Sequence, residues 1–294
     1  MSIHSRRLTN PDRIEVRDSK NKWLATLTLG AYTVTLRGPR RTFAEPAAAD
    51  AVIHSVWVRT LPKPFDGKAN TTWLSHALQA NTKKVPDVLA IAMQYIAKAA
   101  PIVVGGLQIA GAATYGRLVN GERKEGADFN DYLGIPWQYP GEVDNPEERE
   151  FRRLDCSGFL RMVWGYRHHL PGHHYRDTVP LGLRPGVSHR EIPRRSFEIY
   201  EAAPGIITIP NEGVQVEDLS PLGIGDFVFF DADLKDGPRL DHVGMYLGRD
   251  AGDHHRFISS RKKANGPTMG DYRGKSILDG TGLYAGAFRA VRRV

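Results

Sequence analysis

Cysteine is almost missing from this chain: Cys156 is the only one in 294 residues. A lone cysteine forms no intrachain disulfide and cannot supply a site that needs several thiolates for a metal. Zinc-finger spacing, an aromatic RNA-binding signature and a long Lys/Arg block are all absent, which disfavours nucleic acid as a partner. No internal repeat is present. Long apolar runs are missing too. The most apolar stretch, residues 99–115, is interrupted by Pro101, Gly105, Gly106, Gln108 and Gly111. It falls short of the roughly twenty apolar residues that cross a bilayer, so it reads as a buried connector or loose helix and no membrane span is expected. No apolar core follows Met1–Arg7, so no standard signal peptide is visible.

What is present bounds the class. A hydrophobic content of 41% at this length suffices for one large domain or two modest ones. The formal net charge of +7 favours polyanions in general, anionic membranes or anionic cell-wall polymers among them, unless it is ordinary surface charge.

Cys156 stands in Leu154-Asp155-Cys156-Ser157-Gly158-Phe159-Leu160. It is either a small buried hydrophobe or a reactive thiol. Asp155 suits an N-cap, and Phe159, Leu160, Val163 and Trp164 form an apolar stripe at helical spacing. Cys156 then lies in the first turn of a helix, where unpaired N–H groups and the dipole favour thiolate over thiol. Ser157-Gly158 keeps that turn small enough for a substrate to reach the sulfur.

A thiol nucleophile needs a base, usually histidine, and a polar group to orient it. Among eleven histidines, His242 has the most telling context. Gly225–Asp231 and Asp241–Gly248 are two β-prone runs separated by a polar loop, which reads as an antiparallel strand pair with His242 at the start of its second strand.

The order of three blocks carries a resemblance. Asp-Cys-Ser-Gly-Phe on a helix, then Leu222–Phe230, then His242-Val243-Gly244-Met245-Tyr246-Leu247-Gly248 resembles the NlpC-type family of bacterial cell-wall cysteine endopeptidases. The likeness covers about residues 126–262, and Tyr132-Leu133-Gly134-Ile135-Pro136-Trp137 resembles the segment before the family's cysteine helix. The resemblance implies an α+β fold: a papain-like core whose N-terminal cysteine helix packs on an antiparallel sheet. It makes Cys156 the nucleophile and His242 the base. A polar residue on the following strand, commonly histidine, is the third catalytic member. Phe257-Ile258-Ser259 puts Ser259 there. Counting residues from His242 would favour His254, but register favours Ser259, because Asp250-Ala251-Gly252-Asp253 looks like a lengthened turn and His255, Phe257 and Ser259 share a strand face. His255 is the alternative. The resemblance further implies that Asp155 and Ser157 recognise the free amino end of a peptidoglycan stem peptide and that Trp137 lines the site where the family usually has tyrosine. The implied bond is the amide between D-glutamate and the diamino acid, cut without cofactor or metal, outside the cell or in the wall. A leader missing from the chain, another export route, or action inside the cell would each account for the absent signal.

The remainder has no such likeness. Residues 1–120 read as a small N-terminal α+β module of unknown role, and residues 121–294 as the peptidase domain. Within the first, Trp23–Leu29 and Tyr32–Leu36 read as a hairpin, residues 52–59 as a strand, and residues 71–80 and 86–97 as helices. Residues 116–130 read as a linker, 167–190 as a long loop, 194–203 as a helix, and 266–294 as a Gly-rich tail ending in a basic segment. His168-His169-Leu170-Pro171-Gly172-His173-His174 reads as a surface loop, since adjacent pairs broken by Pro-Gly give no tetrahedral geometry. Two other functions fit the same sequence: an acyl- or amidotransferase using the same dyad, and a non-catalytic wall-binding protein, which intact Cys156 and His242 argue against. A toxin delivered to a competitor's wall is a further possibility.

Overall fold

The computed structural model describes residues 3–170, 178–186, 189–233 and 237–294. The chain opens with five strands, β1 (Ile3–Leu8), β2 (Arg13–Asp18), β3 (Trp23–Thr28), β4 (Thr33–Phe43) and β5 (Val52–Thr60), which form a sequential antiparallel sheet. The expected hairpin is β3–β4, with Ala25 opposite Leu36 and Leu27 opposite Val34. Ala25, Leu27, Val34 and Leu36 bury one face against Trp73, Leu74 and Ala77 of α1 (Thr71–Thr82). The Asn70 side chain caps that helix by accepting from the Trp73 N–H at 3.0 Å. β4 bends between Arg37 and Arg41, where a Cβ on Gly38 would stand 2.2 Å from the Trp57 ring, so only glycine fits.

α2 (Val88–Ala92) is shorter than the helix expected over 86–97 and ends in a 3-10 turn, Met93–Tyr95. The stretch expected as a connector or loose helix is a hairpin, β6 (Ile102–Val104) and β7 (Leu107–Ala110), turning on Gly105-Gly106 with φ of 58° and 81°. Branched residues around a Gly-Gly turn favour that outcome over a helix. The linker expected over 116–130 is ordered as β8 (Leu118–Val119), β9 (Glu122–Arg123) and the start of α3 (Phe129–Leu133). A small hairpin follows, β10 (Trp137–Tyr139) with β11 (Glu142–Asp144), and then α4 (Cys156–Arg161), which continues as a π-helical turn over Met162–Arg167.

The remaining elements are α5 (Ser196–Ala202), β12 (Ile206–Ile209), β13 (Phe227–Phe230), β14 (His242–Arg249), β15 (His255–Arg261), β16 (Gly266–Thr268), α6 (Leu283–Ala287) and β17 (Phe288–Arg293). They build a second antiparallel sheet in the order β12-β17-β13-β14-β15-β16. The supposed basic tail is thus an interior strand. Its charges are compensated: Arg293 donates to both oxygens of Asp226 at 2.8 Å, and Arg292 donates to the Tyr200 and Ala203 carbonyls.

Both faces of this sheet are covered. Phe227, Phe229, Val243, Met245 and Ile258 join the core beneath α4, whereas Val228, Phe230, Tyr246, Phe257 and Phe288 pack on the opposite side with Tyr284. The core beneath α4 also contains Tyr32, Phe43, Val52 and Val58 from the first sheet. Core packing therefore continues across residue 120. The Thr33 N–H donates to the Val294 carbonyl at 2.7 Å, and Glu45 accepts from the Met269 N–H at 3.1 Å. The fold is mixed α and β with mainly antiparallel sheets. Among the described residues, no helix is long and apolar enough to cross a membrane.

Candidate active site

Asp155 ends the segment before α4 in extended conformation, and its carboxylate accepts from the Gly158 N–H at 2.8 Å. That cap starts the helix at Cys156. Gly158 serves packing, not substrate access: a Cβ there would stand 2.3 Å from the Ala127 carbonyl oxygen. The bare glycine lets α4 press on the 127–128 backbone and on β14 and β15. Asp128, capping α3, meanwhile accepts from the buried Arg161 of α4 at 3.0 Å.

On the sheet side, His242 opens β14. A Cβ on Gly244 would come within 2.8 Å of the Ile258 carbonyl, so glycine permits the close approach of β15. Met245 pairs with Ile258 and Tyr246 with Phe257, and this register brings Ser259 beside His242: Nε2 lies 3.0 Å from Ser259 Oγ. The alternatives lie elsewhere. His255 Nδ1 bonds the Tyr246 hydroxyl at 2.9 Å, and His254 Nδ1 bonds Asp279 at 2.6 Å.

Cys156 and His242 line one cleft of about 710 Å³, together with Asp155, Ser157, Tyr115 and Tyr284. The backbone N–H of Val243, next to His242, is directed at the Cys156 sulfur. Trp137 is not on the cleft. It packs edge-on against Phe129 at 4.8 Å and beside Tyr166 at 5.7 Å. The aromatic group that stands in the cleft upstream of α4 is Tyr115, whose hydroxyl donates to Glu125 at 3.4 Å. Glu125 and Gly126 of the stretch read as a linker, 116–130, also form part of the wall of the cleft. Tyr284 is the other residue missed by sequence reasoning; its ring lies 5.5 Å from that of His242, with the Arg261 guanidinium 5.0 Å from its centre. Neither has a signal in the local pattern, since Tyr115 follows an Ala-Gly run and Tyr284 a Gly-rich one.

The electrostatics reverse the expected thiolate. Burial, reinforced by the Asp155 and Glu125 carboxylates, pushes the Cys156 thiol well up from its ordinary value, against the Val243 N–H and Arg194. Burial, with Arg261 and Lys262 adding repulsion, lowers His242 to about 3. Both groups rest neutral. A helix of six residues, with its Gly158 N–H already taken by Asp155, offers too little to offset desolvation. For His242 Nδ1 to accept a proton, Nε2 must carry the hydrogen and donate it to Ser259 Oγ.

Asp155 and Ser157 are both in the cleft, but neither is free. Arg194, just before α5, donates to Asp155 Oδ2 at 2.6 Å and to Ser157 Oγ at 2.6 Å. Burial works against the Arg194 charge, and the Asp155 and Asp128 carboxylates overcome it, so the guanidinium is firmly cationic.

Among the described residues no group of three or more His, Cys, Asp or Glu could hold a metal ion. Of the histidine-rich tract, His173 and His174 lie outside the described residues. His168 is not at the surface: it is fully buried, and its Nε2 accepts from the Thr60 N–H at 3.3 Å. No protein-family model and no curated protein matches this chain.

Proposed function

We propose that this protein is a cysteine hydrolase of peptide amides, and that its substrate is the peptidoglycan stem peptide implied by the NlpC-type resemblance. The observation that carries the reading is the meeting of three polar groups from separate elements. Cys156 of α4 and His242 of β14 line one cleft, and His242 is bonded to Ser259 of β15. A papain-like arrangement of helix on antiparallel sheet belongs to the same proposal, as does action at the cell wall, outside the cell.

In the proposed reaction, His242 Nδ1 takes the proton from Cys156 Sγ as the sulfur attacks the amide carbon. Starting from a neutral pair, proton transfer accompanies attack instead of preceding it. The Cys156 N–H is the oxyanion donor of the tetrahedral intermediate. Collapse breaks the C–N bond, the protonated imidazole delivers its proton to the leaving amine, and a thioester remains. Water, deprotonated by His242, then attacks the thioester, and the thiolate leaving group recovers a proton. The Ser259 hydroxyl holds the imidazole in the productive tautomer.

The test is digestion of purified peptidoglycan and of soluble stem peptides, with products identified by mass spectrometry. Cleavage at the D-glutamyl–diamino acid amide is expected. Cys156→Ala should lower that rate by at least about a thousandfold while leaving thermal unfolding unchanged. A variant that releases fragments at the wild-type rate would remove Cys156 as nucleophile. New amide products formed with an added amine, in place of hydrolysis, would make the enzyme a transferase.

A further inference from the structure

The resemblance assigns Asp155 and Ser157 to a free amino terminus, and the geometry around them leaves no room for that role. Asp155 Oδ1 accepts from the Gly158 N–H at 2.8 Å, from Ser157 Oγ at 3.2 Å and from Arg194 Nη1 at 3.2 Å. Oδ2 accepts from the Gly126 N–H at 3.0 Å and from Arg194 Nη2 at 2.6 Å. Five donors on two oxygens exceed the roughly four lone-pair positions of a carboxylate. Ser157 Oγ is itself held by Arg194 at 2.6 Å. An incoming ammonium would therefore find no acceptor here and would face a cation.

Other carboxylates at the cleft are engaged as well. Glu125 is paired with Lys262 at 2.6 Å, and Asp241 is spent on the Ala232 and Asp233 backbone N–H groups. Arg195 and Lys263, both exposed at the cleft, have no carboxylate at ion-pair distance among the described residues. The charge left uncompensated among these groups, on exposed Arg195 and Lys263 at the cleft, is positive.

We propose that the subsite beside Cys156 takes a carboxylate-bearing end of the peptide and rejects a free amino terminus, with Arg194 as the residue that sets this preference. Arg194 saturates the acceptors that would have held an ammonium, and Arg195 and Lys263 supply the opposite charge at the cleft, so discrimination comes from repulsion as well as attraction. The substrate class is an acidic or N-acylated stem peptide. This inference rests on the hydrolase reading for the identity of the peptide but not for the charge selection.

The experiment uses full-length Cys156→Ala protein and one stem tripeptide in three forms, with its amino terminus free, acetylated or succinylated, measured by calorimetry. The succinylated form should bind at least about tenfold tighter than the free-amino form, with the acetylated form between, and the gap should narrow at high salt. Lys263→Gln, an exposed change with little risk to folding, should reduce the preference about two- to threefold. Equal or tighter binding of the free-amino peptide, or no binding of any form, overturns the proposal. Wild-type turnover on the same peptides separates the two readings. Cleavage fastest on the free-amino form would sink the charge selection and leave the hydrolase standing. Binding of the succinylated form with no cleavage by wild type would do the reverse.

Discussion

Two regions of this molecule bury polar groups, and they treat them differently. In the first sheet the buried carboxylate of Asp87 is a closed circuit. Asp87 accepts from Arg41 at 2.5 Å, from the Val58 N–H at 2.7 Å and from the Ala90 N–H at 3.0 Å, so one carboxylate ties β4, β5 and α2 together. In the second sheet His242 is equally inaccessible, its ring bonds a neutral serine hydroxyl, and two cations lie near it. On the proposed reading, the difference separates polar groups that serve architecture from those that serve chemistry. A saturated carboxylate holds strands together. A neutral imidazole with one weak partner, beside a thiol in a cleft, is free to exchange a proton.

The largest way to break this comparison is to remove the first region. A chain lacking residues 1–120 should fail to fold, giving no cooperative thermal transition by circular dichroism, because Thr33, Glu45 and Val58 supply contacts that the second sheet needs. A soluble truncation with a normal transition would make the first region an accessory. Next comes Asp87→Ala. Leaving Arg41 buried without its partner should cost about 3–5 kcal/mol in denaturant unfolding, with the rate per folded molecule unchanged. A stability loss below about 1 kcal/mol, the scale of an exposed pair, would mean that the first region's circuit is no tighter than surface charge.

In the second region the expectation inverts. Ser259→Ala should reduce the hydrolysis rate about ten- to a hundredfold, less than loss of a triad carboxylate costs, while unfolding hardly changes. His255→Ala, which removes the bond and the ring stack with Tyr246, serves as the control and should leave the rate within about twofold, since it lies off the cleft. A collapse in the His255 variant alone would reassign the third position. Smallest is the pH response of the thiol. Toward an alkylating reagent Cys156 reacts as its thiolate, and its raised value keeps that fraction low near neutrality. Alkylation by iodoacetamide should therefore rise about tenfold per pH unit through the alkaline range. A plateau below about pH 7 would show the depressed thiol of a pre-formed ion pair.

Much of the second region was legible in the residues. Asp155 reads as a cap because its side chain can reach a first-turn N–H, and the strand pair around His242 reads from its β-prone runs. Ser259 follows from period-two alternation once the turn at Asp250–Asp253 is taken as long, and Asp253 indeed adopts φ of 65°. What stayed hidden is instructive. Phe288–Arg293 looks like a basic tail, because nothing local reveals that Asp226 and backbone carbonyls await its guanidinium groups. Trp137 occupies a plausible sequence position, but its large ring is taken up by Phe129 and Tyr166.

By itself, then, the sequence determined which groups could do chemistry, one thiol and a histidine on a strand start, and the local elements that carry them. Those depend on caps, turns and periodicity, which act over a few residues. Only the tertiary structure decided the company those groups keep. Arg194 on Asp155, Arg261 and Tyr284 behind His242, Tyr115 in the cleft and Val294 on Thr33 are all contacts between residues far apart in the chain. Burial and charge at a site sum over everything that packs around it. That is why the cysteine's place was readable from its neighbours in sequence, and its protonation state was not.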